Sequence, residues 1–366
     1  MKINNIYQNY KITCIIHSLS FGGMERVMAN LINSFANREH VEVSLLLIGR
    51  FRNVEFQISD KINVYIPYFE YKPSSRLSST LKTTHFIRKT IKEINPNTIL
   101  SFGEFWNNLV LLSLKGLNYP VYISDRSQPN KNLGKIQNLL RDKLYPKAAG
   151  YIAQTEKARA IAHKNKWSKN TTTIGNPINQ NINLTESEKE NIILTVGRLI
   201  ATKHIDELIE MFKEINDENW KLVIVGGNAK NLNLLEKYIQ LVKELGLEDR
   251  VQLVGAKSNV ADYYKRAKIF AFTSSSEGFP NVIGEAMSYG LPVIAYDCTA
   301  GPSDLINNEE TGFLIEERDQ KTYIEKLKKL MQDEELRNKQ SSKALEKIKD
   351  FDAEKIAEQF FTFITK

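Results

Sequence analysis

The segment Ile269-Phe270-Ala271-Phe272-Thr273-Ser274-Ser275-Ser276-Glu277-Gly278-Phe279-Pro280-Asn281-Val282-Ile283-Gly284-Glu285-Ala286-Met287 reads as an apolar run of strand length, a hydroxyl-rich loop, a Glu-Gly-Phe-Pro turn and a helix near Val282 to Tyr289. Pro292 to Ala295 then resumes the strand character. Apolarity that is continuous rather than alternating means a strand covered on both faces, as in parallel sheets whose crossover helices shield them. Working outward, the same unit recurs. Asn191 to Val196, Lys221 to Val225 and Arg250 to Val254 are strand-like, with helices near Ile205 to Ile215 and Leu232 to Leu245. In the N-terminal half Lys11 to Ile16, Val41 to Ile48, Thr98 to Ser101, Val121 to Ser124 and Tyr151 to Ala153 are strand-like, and Glu25 to Ala36 and Ser79 to Ile94 are amphipathic. The pattern predicts an α/β protein with two tandem doubly wound domains.

The regularity breaks at Ile174-Gly175-Asn176-Pro177-Ile178 and the polar stretch Asn179 to Glu190, where Gly and Asn-Pro mark a hinge. The domains are therefore placed at 1–178 and 179–345. A C-terminal helix at 346–366, carrying Phe360, Phe361, Phe363 and Ile364, is expected to pack back on the N-terminal domain.

The composition fits two globular domains: 366 residues, 42% apolar and 25% charged. No apolar run approaches the length of a spanning helix, and Met1 to Asn9 is too polar for a secretory signal, so a cytoplasmic location is expected. Cys14 and Cys298 sit in apolar strand-like runs and read as core residues rather than a disulfide or zinc site. The net charge of +7 favours an anionic partner. Its excess concentrates in two stretches. Lys72 to Lys92 holds six Lys and Arg and no acid, and Lys131 to Lys147 holds five against Asp142. A solvated helix face, a membrane surface and nucleic acid are the open readings; no nucleic-acid motif or aromatic-basic interleaving appears, so nucleic acid is disfavoured.

Ligands of parallel α/β sheets bind beyond the carboxyl ends of the strands. Three loops there carry suitable chemistry. Gly22-Gly23, between a strand and a helix start, lets backbone amides approach a phosphate, although the full dinucleotide fingerprint is absent, which disfavours a nicotinamide enzyme. Gly197-Arg198 with Lys203 offers a forked and a point cation suited to a diphosphate. Glu277 and Glu285 flank a turn whose following helix start, at Asn281 and Val282, is an anion site between two carboxylates.

Taken together, Gly22-Gly23 with Glu25-Arg26, Gly197-Arg198 with Lys203, and Glu277-Gly278-Phe279-Pro280 with Glu285 resemble the retaining glycosyltransferases of family four, over nearly the whole chain. Asp297-Cys298 through Gly301-Pro302-Ser303-Asp304, with Thr311-Gly312-Phe313-Leu314, resembles members that build bacterial surface polysaccharides and lipid-linked oligosaccharides. The resemblance implies the GT-B fold, with two Rossmann-like domains and a cleft between them, the N-terminal one for the acceptor and the C-terminal one for a nucleotide-sugar. It assigns the donor diphosphate to Arg198 and Lys203, the ribose to Glu285 and a donor-sugar hydroxyl to Glu277. Gly22, Gly23, Gly197, Gly278, Phe279, Pro280, Asn281 and Val282 complete the cradle, and Ala256 and Lys257 lie by the base. Asp125 and Arg126 occupy the acceptor side, where many relatives carry His. His17 is either a substrate contact or a satisfied core histidine.

The activity so implied is transfer of a hexose or N-acetylhexosamine from a UDP-sugar, with retention, to a glycan or polyprenyl-diphosphate-linked acceptor, at the anionic inner leaflet of the cytoplasmic membrane. No Asp-x-Asp sequence follows a strand, so Arg198 and Lys203 are read as replacing a metal, and no cofactor is expected. A nucleotide-sugar epimerase would use the same cleft but needs acid-base residues and no second substrate.

Overall fold

The computed structural model describes residues 9–20, 22–129, 131–180, 188–229 and 232–366. Two compact units divide the chain: Met1–Pro177 with Ala353–Lys366, and Ile178–Asp352. Of the polar stretch after the hinge, 181–187 lies outside the described residues, as do Phe21 and most of Met1 to Asn9.

The N-terminal unit is built on seven strands: β1 (Tyr10–Ile16), β2 (Val41–Leu47), β3 (Asn63–Tyr65), β4 (Thr98–Phe102), β5 (Val121–Ser124), β6 (Gly150–Ala153) and β7 (Thr171–Thr173). They are ordered β3-β2-β1-β4-β5-β6-β7, and every pairing is parallel. The C-terminal unit has β8 (Ile192–Val196), β9 (Lys221–Val225), β10 (Val251–Gly255), β11 (Ile269–Phe272), β12 (Val293–Tyr296) and β13 (Gly312–Ile315), all parallel, in the order β10-β9-β8-β11-β12-β13.

The continuous apolarity has its physical cause in the C-terminal sheet. Ile193, Ile224, Ala271, Ile294 and Tyr296 enter one buried cluster, while their neighbours Leu194, Val225, Phe270, Val293 and Ala295 enter the other. A polar residue at either parity would be buried without a partner. Three strands escaped the sequence reading, β3, β7 and β13, and all lie at sheet edges. With three or four residues each they are too short to display a period.

The C-terminal tail forms three helices. Gln320–Gln332 and Glu334–Ile348 belong to the C-terminal unit, where Ala344 and Ile348 are buried in its core. The helix belonging to the N-terminal unit begins only at Ala353, so the boundary expected at residue 345 moves to Asp352. Phe360 packs against Phe102, Phe361 against Phe35 and Phe363 against Tyr122, while Arg38 stacks on Phe361 and pairs with Glu358 at 2.6 Å.

No helix of the described residues is long and apolar enough to cross a membrane. Cys14 and Cys298 are buried and unpaired with each other, and burial pushes both thiols up to about 12.

Candidate functional site

In the C-terminal unit, β8 runs into Gly197, whose amide donates to the Val225 carbonyl at 2.9 Å. A side chain at Gly226 would lie 1.8 Å from the Gly197 carbonyl oxygen, so the two strand-end loops approach this closely only because residue 226 is glycine. Beyond the exposed Arg198 and the buried Leu199, a short turn, Ala201–Lys203, leads to His204 and the helix Ile205–Ile215. That turn points Lys203 at the loop after β11: Lys203 Nζ lies 2.5 Å from Glu277 Oε1, with both side chains 16% exposed. The ammonium also sits 5.2 Å from the Phe272 ring centroid. Residues 74 apart in sequence thus form one cation–carboxylate pair at the carboxyl ends of adjacent strands.

Hydroxyl groups lace the two loops together. Thr273 Oγ1 donates to the Lys203 carbonyl (2.8 Å), Ser274 Oγ to the Thr202 carbonyl (3.1 Å), and the Ser275 amide to the same carbonyl (2.9 Å). The run Thr273-Ser274-Ser275 was visible in the sequence, but its partners were not.

Past Glu277 the chain turns through Gly278 and enters the helix Asn281–Ser288. Phe279 is 7% exposed and its ring meets Phe351 at 5.8 Å. The side chain therefore belongs to the core and shapes the turn, so only the backbone of Phe279 is open to a donor. Pro280 rests on Gly301, where φ is +104° and a Cβ would stand 2.1 Å from Pro280 Cδ; no other residue fits there. The Asn281 amide, expected to face an anion, donates instead to the Phe279 carbonyl at 3.0 Å. Glu285, one turn into the helix, has Oε2 3.2 Å from the Tyr264 hydroxyl, which donates to it, and Tyr264 stacks on Tyr289. Tyr264 had no motif to reveal it. Ala256 and Lys257 are exposed beyond β10, where a Cβ on Gly227 would lie 3.0 Å from that of Ala256.

The strand ends of the N-terminal unit are built differently. Gly22 precedes the helix Gly23–Ala36 and its carbonyl accepts the Arg26 amide at 3.0 Å. His17 follows β1; its Nε2 lies 3.2 Å from Glu25 Oε1, and its ring stacks parallel to Trp106 at 5.7 Å. Asp125, after β5, is 4% exposed and faces inward: its Oδ1 accepts from the Tyr145 hydroxyl (2.6 Å) and from Asn107 Nδ2 (3.0 Å). Burial pushes this carboxyl up to about 7, the Glu104 charge adds to the rise, and the Tyr145 and Asn107 bonds oppose it. Arg126 stacks over Phe102 at 4.5 Å and donates to Asn176 and Ser124, and burial lowers its guanidinium to about 9.

Glu104 closes this network. Its Oε1 accepts from the amides of Arg126 (3.2 Å) and Ser127 (2.8 Å) and from the Ser127 hydroxyl (2.5 Å). The expected acceptor residue Asp125 is thus a structural acid that fixes its loop. Glu104, Asn107 and Tyr145, which hold it, lie on helices where nothing in the sequence distinguished them.

Two parallel Rossmann-like sheets, with cationic and acidic loops meeting at the strand ends of the second, are the architecture of the GT-B fold. Residues 178–347 match the family model for group 1 glycosyl transferases, which marks the C-terminal unit as a domain of that kind, and the fold is GT-B. It is 28% identical over 366 residues to a Campylobacter jejuni enzyme, GalNAc-alpha-(1->4)-GalNAc-alpha-(1->3)-diNAcBac-PP-undecaprenol alpha-1,4-N-acetyl-D-galactosaminyltransferase, covering 97% of this chain and 98% of the other. The apo lipopolysaccharide outer core galactosyltransferase WaaB superposes with a TM-score of 0.80 at 22% identity, covering 97% of this chain and 99% of that one. Anabaena Alr3699/HepE in complex with UDP gives 0.80 at 18% identity, covering 96% and 98%. The chain is a glycosyltransferase.

Proposed function

We propose that this glycosyltransferase moves a hexose or N-acetylhexosamine from a UDP-sugar, with retention, to a glycan or polyprenyl-diphosphate-linked acceptor in bacterial surface polysaccharide or oligosaccharide synthesis. The observation that carries the donor reading is the Lys203–Glu277 pair, with Arg198 exposed earlier on the Lys203 loop and Glu285 in the first turns of the helix that follows Glu277. The undecaprenol-linked substrate named for the Campylobacter relative and the UDP of the Anabaena structure support the acceptor and donor classes.

As the bond from sugar to diphosphate breaks, negative charge grows on phosphate and positive charge at the anomeric carbon. In this reading a diphosphate takes Lys203 away from Glu277, and Arg198 and Lys203 stabilise the leaving group. Glu277, released, accepts from a sugar hydroxyl, and Glu285, steadied by Tyr264, accepts from the ribose. Fixed cations supply the field a divalent metal would otherwise provide, so transfer is metal-independent. Retention follows from attack on the face the leaving group departs, and no protein nucleophile is required. A thermal-shift screen of UDP-, GDP-, ADP- and dTDP-sugars tests the donor, because binding to the native state alone raises stability. The expected result is selective stabilisation by a UDP-sugar; stabilisation by another nucleotide family alone would overturn that choice.

The acceptor would be met at an anionic leaflet. On the helix Arg76–Ile94, Ile87 and Ile91 are buried in the N-terminal unit's core, but Leu77 is 76% and Leu81 61% exposed, beside Arg76 and Lys82. Arg88 is otherwise engaged, donating to the Ser113 and Lys115 carbonyls. Each Lys or Arg near such a leaflet contributes about 1 kcal/mol. Flotation with anionic vesicles should recover the protein, and Arg76→Gln with Lys82→Gln should reduce that recovery; equal recovery with neutral vesicles would refute the membrane assignment.

A further inference from the structure

Among the described residues of the C-terminal unit, four that are not glycine adopt the left-handed backbone that favours glycine, and the side chains of two of them meet. His204 has φ +48° and Arg318 φ +74°. Arg318 comes from the loop after β13, 114 positions away, yet its Nη2 lies 3.3 Å from His204 Nε2. Such a backbone persists in a non-glycine residue where its surroundings over-determine it, and here the side chains supply the reason. A guanidinium has donors only, so an imidazole nitrogen facing it can pair with it only by accepting. The same Nε2 is 2.8 Å from Ser275 Oγ. Arg318 is fixed from behind by Glu207, a 6% exposed carboxylate 3.4 Å from Nη1, whose other oxygen accepts the Tyr296 hydroxyl.

The chain Tyr296–Glu207–Arg318–His204–Ser275 therefore starts in the core at β12 and ends on the loop that carries Glu277. His204 immediately follows Lys203, and Ser275 lies two residues before Glu277. We propose that His204, held by Arg318, is a positioning residue for the donor site, setting the distance between Lys203 and Glu277 through the Ser275 contact; this rests on the donor reading above. The Thr273 and Ser274 hydroxyl bonds hold the backbone of the Lys203 turn from one side. His204 fixes the second loop from the other, so that both charged groups stand ready before a diphosphate arrives. Pre-organisation of this kind acts on affinity without contact with the ligand.

A backbone that favours glycine makes the test unusually clean. His204→Gly accepts φ +48° without strain, so it should melt at or above the wild-type temperature while losing the link to Ser275 and Arg318. His204→Gln keeps an acceptor at the end of the side chain. UDP, GDP, ADP and dTDP would be titrated calorimetrically into the wild-type protein, and the tightest then into each variant. The expected result is a loss of about tenfold in affinity for His204→Gly, the scale of one hydrogen bond to a charged group, with His204→Gln returning most of it. Wild-type affinity in His204→Gly would overturn the positioning role while leaving the donor site intact. A loss that follows a fall in melting temperature and is not restored by Gln would also overturn it, as ordinary stability. If the wild type binds none of the four nucleotides, the donor reading falls and this inference falls with it.

Discussion

The two units share a parallel sheet with polar loops at the carboxyl ends, but they use polar groups in opposite ways. At the candidate donor loops of the C-terminal unit the charges stand near solvent: Arg198 is exposed, and Lys203 and Glu277 pair with each other and are 16% exposed. In the N-terminal unit Glu104 and Asp125 are 8% and 4% exposed and take their bonds from neighbouring side chains and amides. Charges partly open to solvent can exchange one partner for a ligand. Groups buried in a core and bonded to its side chains and amides instead hold a loop in one shape. On the proposed donor reading, similar residue types serve recognition at the loops of Lys203 and Glu277 and architecture around Glu104 and Asp125.

This contrast is most directly broken by truncation. Arg198→Ala and Glu285→Ala should each lower transfer about a hundredfold or more, as removal of a preorganised contact typically does, with circular dichroism and melting temperature near wild type. Near-normal turnover by either folded variant would end the donor assignment. Glu104→Ala should do the reverse, since it strips the acceptor from three donors. Leaving a buried donor unpaired costs about 1–3 kcal/mol, so a clear fall in melting temperature is expected. If Glu104→Ala instead retained full stability, the N-terminal network would not be architectural.

Asp125 sharpens the comparison through pH. An acid whose pKa is higher in the folded than in the unfolded chain holds its proton more tightly when folded. Its contribution to stability is present below the unfolded value, near 4, and is lost as pH rises to the folded value of about 7. Wild-type stability should therefore decline across that window with a slope of at most about 1.4 kcal/mol per pH unit from this group, and Asp125→Asn should flatten it. Denaturant melts at half-unit pH steps measure the difference; parallel curves would show that Asp125 ionises normally. The smallest expected effect is no effect. Transfer should survive EDTA, and loss of activity restored by Mg²⁺ or Mn²⁺ would show that the cations of the C-terminal unit do not act alone.

Much of this was legible in the sequence because it is local. The doubly buried strands announce themselves by continuous apolarity, and the helix Ile205–Ile215 was read with its observed bounds. The helix after the Glu-Gly-Phe-Pro turn was off by one residue, beginning at Asn281 rather than Val282. Edge strands, by contrast, have half the pairing and little burial to pattern them, so Asn63–Tyr65 and Thr171–Thr173 left no trace.

By itself the sequence determined the two parallel sheets, the break near Pro177 and the loops where charge gathers, since each depends on residue type and spacing along a few turns or strands. Tertiary structure alone decided which charge meets which. Lys203 finds Glu277 across 74 residues and Arg318 finds His204 across 114, because the parallel strands of one sheet deliver their carboxyl ends to the same edge whatever the length of chain between them. It likewise turned Asp125 inward and Phe279 into the core. A carboxylate or a ring in a loop has no period to reveal its direction, and only the hydrogen-bond donors and apolar surface that folding places around it fix where it points.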